Sequence, residues 1–194
     1  SYTRREIFNH GEGEFCLVLD CHVSIPTTHD RGIGRLLKFL RENPDSKDIY
    51  SGPLLRESQR AFVGDHFDPV WRAEMLGIWS MTWALEDGTR FVCRRDPISG
   101  NVQFHDSITR ERIDLDIPSH GWEAHEPHVY KHGARLAMLR ADPYETPGSG
   151  LGLFCIRRDA LPKFPDGLRG FGGEEIHLHE AVRMNGGRSI CLPW

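Results

Sequence analysis

Residues 15–19 read FCLVL, an unbroken apolar run that ends abruptly in Asp20-Cys21-His22. A short apolar run bounded by polar residues predicts a buried strand. Side chains alternate along a strand, so Asp20 and His22 share one face and Cys21 takes the other. A carboxylate and an imidazole side by side at the C-terminal end of a central strand can hold a divalent metal. Ligand sites in open α/β sheets also lie outside those strand ends. An Asp-x-His triplet recurs by chance, so its weight comes from its place after the strand.

The segments that follow have α/β character. HDRGIGRLLKFLRENPDS predicts an amphipathic helix with Leu36, Leu37 and Leu40 as its apolar stripe, ended by Asn43-Pro44. DIYSGPLL predicts the next strand, and FDPVWRAEMLGIW a further helix carrying Trp71, Met75 and Trp79. Strand, helix, strand is an α/β pattern. Ahead of it, SYTRREIFNHGEGE predicts a short helix stopped near Gly11. From about residue 86 to 145 the chain turns strand-rich, with DPISGN as a hairpin turn, and reads as a β-rich insertion. The α/β pattern returns with GSGLGLFCIRRDAL, a glycine-rich approach to a buried strand.

Bulk properties exclude some classes. The 194 residues suit one domain, with 39% hydrophobic and 27% charged residues. No apolar run is long enough to span a membrane, and no signal-peptide pattern opens the chain. The net charge of -4 gives no general attraction to nucleic acid. Five widely spaced cysteines without a C-x-x-C pair read as reduced, buried thiols, which points to a reducing, cytoplasmic setting. Among 11 histidines, His120, His125, His128 and His132 crowd one segment. Pro127 and its polar neighbours favour a loop entering a short helix over a zinc cluster there.

The C-terminal stretch GFGGEEIHLHEAVRMNGGRSICLPW predicts a helix over Glu174 to Met184, stopped by Gly186-Gly187 and followed by a final strand. Gly172 and Gly173 leave the backbone bare before it, so a ligand can approach closely. Glu174 and Glu175 fall in the first turn, where the helix dipole favours carboxylates. Such acids are commonplace caps, yet a carboxylate on a rigid helix end beside bare backbone also suits a general base. His177 and His179, two apart on a helix, do not share a face and are not read as a metal pair.

FCLVLDCHVSI, GSGLGLFCIRRDAL and GFGGEEIHLHEAVRMNGGRSICLPW, in this order, resemble metal-dependent GT-A glycosyltransferases. The resemblance is to glycosyltransferase family 2 and the polypeptide N-acetylgalactosaminyltransferases. GDHFDPVWRAEMLGIW is similar to a segment of bacterial and phage family 2 proteins. The resemblance covers roughly residues 1–80 and 146–194 and leaves 86–145 without a counterpart.

The resemblance implies a GT-A fold, a Rossmann-like α/β sheet with flanking helices, with residues 1–194 as one partial catalytic domain. It implies transfer of a sugar, hexosyl or N-acetylhexosaminyl, from a nucleotide-diphosphate donor, most simply a UDP-sugar, to an acceptor hydroxyl. Mn²⁺ or Mg²⁺ would bridge the donor phosphates, with Asp20 and His22 as its ligands. Arg4, Asp20, Gly152 and Gly173 would line the donor site, and Glu174 and Glu175 would supply the catalytic carboxylates. The acceptor stays open between protein, glycan, small molecule and hydroxymethylated DNA. Two departures are expected: the nucleotide-gripping strand-helix-strand unit would precede this chain or come from a partner, and a third metal ligand, a histidine, would follow Trp194. The alternatives are a metal-dependent hydrolase built on the histidine-rich segment, and a sugar-nucleotide-binding module without turnover.

Overall fold

A computed structural model describes residues 10–20, 23–25, 32–55, 62–72, 75–96, 98–115, 134–140, 142–150, 152–163 and 173–194. The expected N-terminal helix falls outside them save for His10, and so do the four clustered histidines. The described residues form a mixed α and β structure that is rich in strand and holds two α-helices.

The first sheet brings together segments from both ends of the chain. It contains β1 (Phe15–Leu19), β2 (Ile49–Ser51), β12 (Tyr144–Glu145), β13 (Leu153–Arg157) and β14 (Ser189–Cys191), in the order β1-β13-β2-β14-β12. β13 is antiparallel to both β1 and β2, β14 is parallel to β2, and β12 is antiparallel to β14. Strands β1, β2 and β14 therefore all run toward the end of the sheet where Asp20 leaves β1. β1 is an edge strand among the described strands, not the central strand that the sequence suggested, because β13 covers only one of its sides.

One helix covers each face of this sheet, and the period of two along the strands decides which residue meets which helix. Helix α1 (Ile33–Glu42) packs Leu40, with Leu36 and Phe39, on Tyr50, Cys155 and Ile190. Phe39 takes the place in the stripe expected of Leu37, which is 49% exposed. Helix α2 (Glu174–Met184) packs Leu178 and Val182 on Cys16, Ile49, Phe154 and Ile156. Each fully buried side chain of this kind contributes about 1.5–3 kcal/mol relative to exposure. As expected, Asn43 ends α1, its side-chain amide donating to the Phe39 carbonyl at 2.9 Å.

The second sheet is an antiparallel meander of neighbouring strands. It contains β7 (Trp83–Ala84), β8 (Arg90–Arg95), β9 (Val102–Asp106), β10 (Arg112–Ile113) and β11 (Arg135–Leu136), in the order β10-β9-β8-β7-β11. Its core is Trp83, Phe91, Val102, Phe104 and Ala134, with the Phe91 and Phe104 rings edge to face at 5.5 Å. The β-rich stretch expected at 86–145 maps largely onto it, although Tyr144–Glu145 joins the first sheet. The DPISGN turn closes β8 to β9 as expected. The Asp96 carboxylate accepts the Ile98 and Ser99 amides, and Gly100 turns the chain at φ 73°.

Two sequence expectations fail between the sheets. DIYSGPLL is not one strand: β2 stops at Ser51, and β3 (Leu54–Leu55) pairs elsewhere, with β4 (Phe62–Gly64). Pro53 has no N–H to continue the ladder. FDPVWRAEMLGIW is not a helix but most of a hairpin of β5 (His66–Arg72) and β6 (Met75–Ser80). Trp71 and Trp79 lie eight apart, which imitates a helical stripe. Pro69 would remove a helical hydrogen bond, while the β-branched and aromatic neighbours fit a pleated surface. The register shifts between Asp68 and Trp71, opposite Gly77 at φ 103°.

Candidate functional site

Asp20 extends the β1–β13 ladder by one residue: its N–H donates to the Gly152 carbonyl at 2.8 Å, beyond the Leu19–Leu153 pair. Its carboxylate lies against the backbone of Gly152. A Cβ at Gly152 would sit 2.9 Å from Asp20 Oδ2, so glycine is what lets the carboxylate rest there. By alternation Asp20 follows Cys16 and Val18, and Gly152 precedes Phe154 and Ile156, all packed on the α2 side of the sheet. The carboxylate is therefore on the α2 face.

The start of α2 is at the same end of that face. β14 begins at Ser189 opposite Ile49, the end of the sheet remote from Asp20. Helix α2 ends close by, with the Gly187 N–H donating to the Val182 carbonyl at 3.0 Å and the Ile49 N–H to the Arg188 carbonyl at 2.8 Å. Leu178 and Val182 hold the helix on the sheet, so its N-terminus projects back toward Asp20. At about 1.5 Å per residue the helix is long enough to cross the sheet face. Gly173 caps it at φ 85°, and no described atom lies within 4 Å of where a Cβ would stand. Behind it Glu174 is buried and Glu175 half-buried. Of the residues singled out in the sequence, Asp20 and Gly152 touch, and Gly173, Glu174 and Glu175 begin the helix that covers the same face. Arg4 and the His22 side chain lie outside the described residues.

The segment joining β12 to β13, TPGSGLG, links these parts, and sequence reasoning missed how. Its glycines alternate at 148, 150 and 152, and the Cβ position of each is occupied by a different neighbour: the His179 ring at 3.2 Å, Trp79 at 2.8 Å and Asp20 at 2.9 Å. Ser149 donates its N–H to His179 Nε2 at 2.8 Å, and His179 Nδ1 lies 2.7 Å from Ser189 Oγ. Burial, reinforced by the Arg183 charge, holds the His179 pKa down to about 4, so the ring is neutral near pH 7.

A second cluster that the sequence did not reveal lies where the hairpin meets both sheets. The fully buried Asp65 carboxylate accepts hydrogen bonds from the Thr82 N–H and hydroxyl and from Tyr144 Oη at 2.6 Å, with His66 Nδ1 also at 2.6 Å. Burial and the Asp65 charge push the Tyr144 pKa up. Beside it, Asp68 takes both arms of Arg94 and one of Arg110. These two carboxylates join hairpin and sheets. Their burial excludes contact with a substrate.

Across the first sheet, at the end where Asp20 lies, Leu17, Leu36, Leu153, Leu192 and Trp194 line an apolar cavity with no carboxylate among the described lining residues. The described cysteines are free thiols, and burial raises the pKa of Cys93 and of Cys155 to about 12. Neither is a nucleophile near neutral pH. No described helix is long and apolar enough to cross a membrane.

Neither a protein-family model nor a curated protein matches the chain.

Proposed function

We propose that the chain is the catalytic portion of a GT-A glycosyltransferase that moves a sugar from a nucleotide-diphosphate donor, a UDP-sugar, to an acceptor hydroxyl. The observation that carries the reading is the Asp20 carboxylate resting on bare Gly152 at the end of β1, on the sheet face that α2 covers. These segments come from opposite ends of the chain, and they are the motifs on which the resemblance rests. The mixed strand directions, with β13 antiparallel between β1 and β2, fit the same reading.

Asp20 is the described member of the expected donor set. No group of three or more His, Cys, Asp or Glu converges among the described residues. Mn²⁺ or Mg²⁺ on a nucleotide diphosphate needs only one or two protein ligands, because phosphate and water complete the shell. Asp20 supplies one carboxylate, and His22 is the second candidate from the sequence. The bound metal would neutralise charge gathering on the departing diphosphate. The protein's own part is positional. The hydrogen bond from the Asp20 amide to Gly152 fixes the carboxylate at the strand end, and Gly173, without a side chain, would let a sugar approach the helix start. If the anomeric centre inverts, Glu174 or Glu175 takes the acceptor proton. If it is retained, no base on that face is needed.

Calorimetric titration with UDP, with and without Mn²⁺, tests the reading. UDP should bind only with Mn²⁺, and Asp20→Ala should abolish that binding without lowering the melting temperature. Equal binding by Asp20→Ala would remove the site. Tight zinc binding without nucleotide would favour the hydrolase, and UDP-sugar binding without any transfer would favour the inactive module.

A further inference from the structure

We propose that His179 is a positioning residue: its imidazole fixes Gly148 and Ser149, and through them the glycine that backs the Asp20 carboxylate, relative to the first turn of α2. The catalytic meaning of that distance rests on the glycosyltransferase reading above, while the holding contact does not.

His179 is 1% exposed, yet both ring nitrogens serve polar groups on other elements. A backbone N–H can only donate, so Nε2 accepts from Ser149 and the ring proton sits on Nδ1, which donates to Ser189 Oγ. One imidazole thus ties α2 to the glycine segment on one side and to the start of β14 on the other. The missing Cβ of Gly148 is what admits the ring, at 3.2 Å. One turn further along α2, Arg183 donates to the Pro147 carbonyl at 2.7 Å and to Ser189 Oγ at 3.2 Å, so helix and segment meet at two successive turns.

On either side of Ser149 the described glycines are held in turn. The Phe67 N–H donates to the Gly148 carbonyl at 3.0 Å, Trp79 covers Gly150, and the Gly152 carbonyl accepts the Asp20 N–H at 2.8 Å. His179 lies five residues, about 7.5 Å, along the helix from Glu174. The same rigid helix therefore carries the carboxylates and the anchor of the segment that backs Asp20. A residue present only to fill the core would not need polar partners at both ring nitrogens or an opposing glycine.

Amide hydrogen exchange on the intact chain tests this, read at Ser149 and Asp20, with Ile156 as the reference. His179→Ala should speed exchange at Ser149 and Asp20 at least tenfold while leaving Ile156 unchanged. His179→Gln, which keeps a donor and an acceptor, should restore most of the protection. Gly148→Ala pushes on the ring without removing it and should reproduce the Ser149 effect in milder form, which covers the case in which His179→Ala fails to fold. Mn²⁺-dependent UDP binding should weaken about tenfold in His179→Ala and recover in His179→Gln. If wild-type protein binds no UDP, the glycosyltransferase reading falls, and the exchange data still decide the anchor. Unchanged exchange at Ser149 and Asp20, or a rise shared equally by Ile156, would overturn the proposal.

Discussion

The two large sheets are built from opposite kinds of neighbour. In the meander each strand from β7 to β10 pairs with the next in sequence, and its core of Trp83, Phe91, Val102 and Phe104 comes from one short stretch. In the first sheet β1 pairs with β13, β13 with β2, β2 with β14 and β14 with β12, so every strand pairing joins distant segments. Distant segments must pay loop-closure entropy before they pair, but their union brings residues together that no local hairpin could. Asp20 and Gly152 meet only because the sheet is non-local. The meander contributes a rigid flank fastened to it through Asp65 and Asp68.

The comparison is open to direct test. Phe154 in the first sheet and Phe91 in the meander are both fully buried. Truncation to alanine should cost either sheet about 3–5 kcal/mol, measured by urea unfolding. The two should part in function. Phe154→Ala, two residues from Gly152, should lose Mn²⁺-dependent UDP binding even where the protein is still folded, and Phe91→Ala should keep it. Equal losses would mean that the sheets act as one unit.

A smaller effect comes from protonation. Burial and Arg183 lower the His179 pKa from 6.5 to about 4, against a weaker upward pull from the Ser149 backbone and Glu180. Between those values the unfolded chain binds a proton that the folded chain refuses. Stability is therefore fully present above pH 6.5 and drains away as pH falls toward 4, by about 3 kcal/mol. His179→Gln should flatten that part of the pH–stability curve. A slope unchanged in the variant would show that other groups set it.

The smallest test concerns glycine. Gly100, in the meander, turns at φ 73° with open space around it, so Gly100→Ala should cost about 1–2 kcal/mol in strain and leave UDP binding alone. Gly152 serves space instead. Gly152→Ala should shift the Asp20 carboxylate and weaken Mn²⁺-dependent UDP binding about tenfold, with a smaller change in melting temperature. The reverse pattern would break the contrast.

What could be read from the sequence follows the same division between local and distant. Strands β1, β13 and β14 were visible as apolar runs, α2 as a stretch closed by glycines, and the β8–β9 turn as DPISGN, because each signal is local. The β5–β6 hairpin was misread, since Trp71, Met75 and Trp79 recur at helical spacing and only the partner strand reveals the period of two. Asp20, Gly152, Glu174 and Glu175 were found through motifs. The anchoring of Ser149 by His179 and the Asp65 cluster were not, because each exists only once separate segments have packed. Their traces were visible, the alternating glycines of TPGSGLG and the paired Asp65-His66, but neither names its partner.

Those alternating glycines carry a consequence for how the sequence can change. Each is the negative imprint of one side chain from another part of the chain: 148 of His179, 150 of Trp79, 152 of Asp20. A change on either side of such a pair is tolerated only with a matching change on the other. A related chain with a side chain at 150 must carry something smaller than tryptophan at 79, and one with a small residue at 179 is free of the constraint at 148. The pair 152 and 20 has no such freedom if the carboxylate holds a metal, so substitutions should drift in step at the first two pairs and freeze at the third.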